Sequence, residues 1–161
     1  YIFNHDVDLI PNESLISSLY KNEKYDILRI YNPHPESLGS ICKFKTESMK
    51  KINGYINNIW GWGIEDRVLY YRAVFCNVCM SNIYNNLSNS NIIKLGHKSN
   101  VTHYTDKNLF ISNKWHKNNI RLLNNKDKND MVYEDGLNTL TYTISKKVII
   151  NEYTEKLLVD I

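Results

Sequence analysis

Asn53-Gly54-Tyr55-Ile56-Asn57-Asn58-Ile59-Trp60-Gly61-Trp62-Gly63-Ile64-Glu65-Asp66 is the stretch on which the reading of this chain turns. Its second half sets two indoles, two glycines and two adjacent carboxylates in one short run. Propensity does not favour such a run, because Gly weakens both helices and strands and Trp beside Gly supports neither. The glycines let the backbone turn and let a ligand come close. The indoles offer flat apolar faces with one N–H donor each, and Glu65-Asp66 offers a base. A pyranose has apolar C–H faces and a hydroxyl rim, so aromatic faces beside carboxylates suit a sugar. A structural turn around a buried Trp has the same composition, and the run by itself leaves both readings open.

A second stretch, Tyr1-Ile2-Phe3-Asn4-His5-Asp6-Val7-Asp8-Leu9-Ile10-Pro11, opens the chain. Its apolar character reads as a strand over 1–10. Residues two apart in a strand face the same way. On that reading Asp6 and Asp8 project together as a hard-oxygen pair suited to a divalent cation, and Pro11 stops the strand.

Together these stretches resemble the beta-1,4-galactosyltransferase family. Phe3-Asn4-His5-Asp6-Val7-Asp8-Leu9-Ile10-Pro11 looks like the family's donor motif, and Asn53 to Asp66 looks like its acceptor-side motif. A third segment, Asp135-Gly136-Leu137-Asn138-Thr139-Leu140-Thr141-Tyr142, is similar to the family's Asp-Gly-Leu-Asn motif near the C-terminus. The three stand in the family's order and span nearly the whole chain. The resemblance implies an α/β chain forming the C-terminal half of a GT-A type mixed-sheet nucleotide-sugar transferase fold. It implies one catalytic region over 1–161, with the N-terminal nucleotide-binding half lying outside this chain.

Composition fits that expectation. The 161 residues, 42% hydrophobic, are enough for one domain with a real core. The net charge of +3 is too mild to indicate nucleic acid, and no apolar run reaches the length of a membrane span. The Lys-, Asn-, Ile- and Tyr-rich usage points to an AT-rich genome. A viral or protist cytoplasm therefore stays open beside the Golgi lumen that the resemblance implies. Cys76 and Cys79 have redox or zinc spacing without a second pair, and read as small apolar residues at a helix end.

Periodicity predicts a short helix over 13–20, strands over 25–31 and 39–44, and a helix over 45–52 that ends at Asn53-Gly54. A helix from Glu65 to about Val78 carries Val68, Leu69, Arg72, Phe75 and Cys76 on one buried stripe. Residues 81–91 read as a loop, 92–96 as a strand and 115–126 as a basic amphipathic helix. Late strands are predicted over 139–144 and 147–160.

The resemblance also implies roles. Asp66 falls at the family's general base, and Asp6 at the residue that holds donor hydroxyls. Glu65 supports the acceptor, while Trp62 and Gly63 belong to the sugar-covering loop. Asp8 is the implied metal ligand, with Mn²⁺ as the ion. His97 is the first choice for a further ligand and His103 the alternative; His5 is expected to orient the Asp pair. The implied partners are a UDP-sugar donor and a glycan or glycoconjugate acceptor. Four departures stand out: Arg67 replaces a third acid, Lys94 stands where a Met ligand is sometimes found, Gly39-Ser40 stands where the family has a Gly-Gly strand, and Ser37-Leu38 replaces a bulky aromatic just before it. A small residue there leaves galactose or an N-acetylhexosamine as the donor sugar. A catalytically silent sugar-binding domain of the same fold is the alternative reading.

Overall fold

The chain folds around a small sheet whose two faces are both covered. The computed structural model describes residues 1–21, 24–32, 34–59, 64–83, 91–95, 124 and 132–160. The strands of this sheet are β1 (Ile2–His5), β3 (Ile27–Tyr31), β4 (Ile41–Phe44) and β5 (Met80–Asn82), in the order β1-β4-β3-β5. β4 runs antiparallel to β1 and β3, and β5 runs parallel to β3. β3 and β4 are buried at every position, side chains of both parities, with Arg29 and Lys43 the charged residues among them.

Ile27, Cys42 and Phe44 point to one face, where Met49 and Ile52 meet Leu69 and Ala73. These come from helices α2 (Thr46–Lys51) and α3 (Glu65–Phe75). Leu28, Ile30 and Ile41 point to the other face. There they meet Leu15 of the short helix α1 (Glu13–Leu15), which continues as a π-helical turn over Ile16–Tyr20. Leu9 and Ile92 complete this cluster, from an antiparallel pair formed by β2 (Leu9–Pro11) and β6 (Ile92–Lys94). A separate antiparallel hairpin joins β7 (Thr143–Asn151) to β8 (Thr154–Asp160), and both its strands are exposed throughout.

Most predicted elements are present, with three corrections. The strand over 1–10 is two strands, because the chain turns at Val7-Asp8 and Leu9 N–H donates to the Asp6 carbonyl at 3.2 Å. Strand alternation therefore does not relate Asp6 to Asp8, and Pro11 closes β2 rather than one long strand. Met80–Asn82 is a strand where a loop was expected to begin, drawn in by parallel pairing to β3. The late hairpin turns near residues 152–153, not at 145–146. The predicted helix over 115–126 lies outside the described residues, apart from Asn124. Among the described residues, no helix is long and apolar enough to cross a membrane.

Candidate active site

The three motifs, far apart in sequence, meet along the edge of the α2–α3 face. Helix α3 begins with Glu65 and Asp66 in its first turn, where carboxylates suit the positive end of the helix dipole. The residue before them, Ile64, is buried and holds a left-handed φ of 74°. That conformation is costly for a β-branched side chain, by about 1–3 kcal/mol, and needs firm surroundings to persist.

Asp66 lies against Gly39. A Cβ on Gly39 would stand 2.1 Å from Asp66 Oδ2, so the absence of a side chain there makes room for the carboxylate. The turn that presents Gly39 is fixed by buried Asn32, whose Nδ2 donates to the Ser37 carbonyl at 2.7 Å and the Gly39 carbonyl at 3.2 Å. Leu38 N–H donates to the Asp66 carbonyl at 3.0 Å. Ser37 and Leu38 are both buried, the latter in the core. They brace this turn from within.

Burial, the neighbouring Glu65 and then Asp6 push the Asp66 carboxyl up to about 6, against smaller opposing effects of Tyr55 and His34. The Tyr55 hydroxyl accepts from Asn4 Nδ2 at 2.8 Å. Asn4 is on β1, so this contact ties the donor-like motif to the acceptor-like one. Glu65 Oε2 is buried with no hydrogen-bond partner among the described residues.

The Asp-Gly-Leu-Asn segment anchors the stretch that leads into the Trp-Gly run. Asp135 Oδ2 accepts from the N–H groups of Asn57 and Asn58, at 3.0 and 2.9 Å. Asn57 Nδ2 donates to the Gly136 carbonyl at 2.9 Å. Asn138 and Asn53 bond reciprocally: Asn53 Nδ2 donates to Asn138 Oδ1 at 2.6 Å, and Asn138 N–H to Asn53 Oδ1 at 2.9 Å. Fully buried Arg72 closes this clasp, donating to the carbonyls of Asn53, Gly54 and Asp135. Gly136 is forced by space, because a Cβ there would meet the Asn53 carbonyl oxygen at 2.1 Å.

The remaining predicted residues are placed unevenly. Asp6 is exposed and Asp8 half-buried. His5 Nδ1 donates to the Asp6 carbonyl at 2.8 Å, so it braces the backbone at the head of the Asp-Val-Asp turn. Arg67 pairs with Glu36 at 3.5 Å, not with Glu65. Trp62, Gly63, His97 and His103 lie outside the described residues. Among the described residues there is no group of three side chains able to hold a metal ion. The donor type at Asp8 suits a hard divalent cation. Leu95, two residues before His97, donates its N–H to the Asp8 carbonyl at 2.7 Å. The pairing of β2 with β6 thus brings the run that precedes His97 alongside Asp8.

Tyr55, Gly39 and the Arg72 clasp were missed as site-building groups by sequence reasoning. A charged Arg on the apolar stripe of α3 was the one visible signal. Nothing local tied Tyr55 to Asn4 or Gly39 to Asp66, partners that lie 51 and 27 residues away.

A family model described as the N-terminal domain of galactosyltransferase matches residues 23–98. Across its full length the chain is 28% identical to β-1,4-galactosyltransferase 1 of Bos taurus, of which it covers 38%. A stretch of 80 residues is 36% identical to β-1,4-galactosyltransferase 7 of Drosophila melanogaster, covering 45% of this chain and 24% of that protein. The chain therefore spans well under half the length of these relatives. Its fold matches a crystal structure of a Drosophila β-1,4-galactosyltransferase 7 mutant in complex with manganese, UDP-Gal and xylobiose, with a TM-score of 0.67 at 21% identity. That match covers 98% of this chain and 66% of the other. The architecture is thus the mixed α/β arrangement of a GT-A galactosyltransferase domain. Motif order, matched segment and shared fold lead to one conclusion: over residues 23–98 and in its fold the chain is similar to the galactosyltransferase family.

Proposed function

We propose that this chain carries the catalytic, acceptor-side part of an inverting, metal-dependent glycosyltransferase. It moves a hexose, galactose or an N-acetylhexosamine, from a UDP-sugar to a terminal hydroxyl of a glycan. The observation that carries this reading is Asp66. It is a half-buried carboxylate at the head of α3, fitted over Gly39 and pushed up to about 6. A general base works best when its proton affinity lies near the working pH. Asp66 takes the proton of the acceptor hydroxyl as that oxygen bonds to the anomeric carbon. The bond from that carbon to the UDP oxygen breaks on the opposite side, and the configuration inverts.

Other roles follow from position in the motifs. Asp6 holds donor hydroxyls, Glu65 binds the acceptor, and Trp62 with Gly63 covers the sugars. Asp8 and His97, with His103 as the alternative, are the residues that would hold the divalent cation. A bound Mn²⁺ would supply the positive charge that favours departure of a diphosphate. The Drosophila relative was crystallised with manganese, UDP-Gal and xylobiose, which supports a UDP-hexose and a sugar acceptor here.

The test is UDP release from single UDP-hexoses, with Mn²⁺ supplied or chelated. Release that requires Mn²⁺ and rises with a glycan acceptor is the expected result. Retained sugar binding with no release from any donor would replace this reading with a silent sugar-binding domain.

A further inference from the structure

Arg67 directly follows the candidate base on α3, and its guanidinium is barely committed. The side chain is 48% exposed, and among the described residues its polar partner is Glu36, at 3.5 Å. The Glu36 carboxylate is better held elsewhere: the same oxygen, Oε2, accepts from the Tyr71 hydroxyl at 2.7 Å. Tyr71 stands one turn further along α3 and stacks on Phe75, with ring centroids 6.2 Å apart. Glu36 is thus fastened to the helix, and Arg67 leans on it at the limit of hydrogen-bond distance. A guanidinium has five N–H donors, so most of this set is left to water.

The place of this group matters as much as its freedom. Residues 36–39 lie along the first turns of α3. Glu36 meets Arg67 and Tyr71, Leu38 N–H donates to the Asp66 carbonyl at 3.0 Å, and Gly39 makes room for the Asp66 carboxylate. Three residues of chain span at most about 10 Å, so guanidinium and base border one short stretch of surface. We propose that Arg67 is a specificity-determining residue that binds an anionic group on the acceptor sugar, a carboxylate or a sulfate ester, with Glu36 and Tyr71 holding the guanidinium ready. This rests on the glycosyl-transfer reading of the site. The receiving hydroxyl has to lie at Asp66, which puts Arg67 on the acceptor's side, away from a diphosphate at Asp8. The planar guanidinium matches two oxygens of either anion at once. An incoming anion displaces only a long, exposed pairing, which costs little to give up.

The test compares matched acceptors: methyl β-glucoside with its glucuronide, and methyl β-N-acetylglucosaminide with its 6-sulfate. Acceptor-dependent UDP release is expected to favour the anionic member about tenfold in kcat/KM, carried by KM. A preference confined to one pair names the anion as carboxylate or sulfate. Arg67→Gln should bring the pairs level, whereas Glu36→Gln, which frees the guanidinium, should widen the gap. The preference should also shrink as salt rises. Parity within both pairs in the parent protein, or a preference that survives Arg67→Gln, would overturn the proposal. Saturation-transfer NMR on the same glycosides reads the preference as binding, without turnover. Anionic preference in binding with no UDP release from any acceptor would keep Arg67 as an anion site and remove the transfer reading instead.

Discussion

Asp66 is held where a charge is costly, and that cost should be visible in stability as well as in rate. Its folded proton affinity lies above that of the unfolded chain, at about 6 against 3.8. The stability it contributes is present below the lower value, falls as pH rises between the two, and stays lost above the higher one. Asp66→Asn should therefore abolish turnover yet raise stability above neutral pH by about 1 kcal/mol, after allowance for solvent screening. The gain should vanish under acid conditions, and thermal unfolding across pH checks it. Gly39→Ala makes a complementary case. The added methyl would displace the carboxylate, and a misplacement of that order lowers turnover about a hundredfold. Stability should change little, because Gly39 needs no left-handed backbone. The Glu65-Asp66 pair was legible in the sequence because its glycine and tryptophan neighbours exclude an ordinary helix interior. The groups around it were not, since the contacts of Asp66 with Gly39 and Leu38 exist only once the sheet and α3 have packed together.

At the scale of elements, the Asp-Gly-Leu-Asn segment serves as an anchor. Asp135 satisfies two backbone N–H groups just before the Trp-Gly run, and Arg72 joins the same segment to the end of α2. Asp135→Ala leaves Asn57 and Asn58 without their acceptor, and should cost about 1–3 kcal/mol. Hydrogen exchange should then quicken at those two amides before it quickens in β3 or β4. Uniform exchange changes across the sheet would speak against a local anchor. Helices α2 and α3 were predicted almost to their ends, because apolar spacing and the Asn53-Gly54 stop agree. The first strand was misread because alternation along Ile2 to Ile10 continues through the Val7-Asp8 turn. Burial could not reveal that turn from sequence, although Val7 is 96% exposed in the fold. Met80–Asn82 was missed for the opposite reason: Ser and Asn have little strand preference, and pairing with β3 decides the matter.

Over the whole molecule, three motifs separated by up to some 130 residues become one neighbourhood around the end of the sheet. Their order in the sequence was enough to carry the family resemblance, while the wiring between them required the fold. The metal assignment rests on the same long-range logic, since β2 and β6 bring Asp8 beside the run that leads to His97. His97→Ala should weaken Mn²⁺ affinity at least tenfold by the order of magnitude typical for a lost ligand, whereas His103→Ala should leave it near the parent value. Titration calorimetry compares the two, and the reverse outcome would move the ligand to His103. The most direct test of the whole account is acceptor-dependent UDP release by the parent protein and Asp66→Asn, measured side by side with Mn²⁺ and a UDP-hexose. The account predicts brisk release from the parent and none above background from the variant, with donor binding retained in both. Equal release from the two proteins would contradict it.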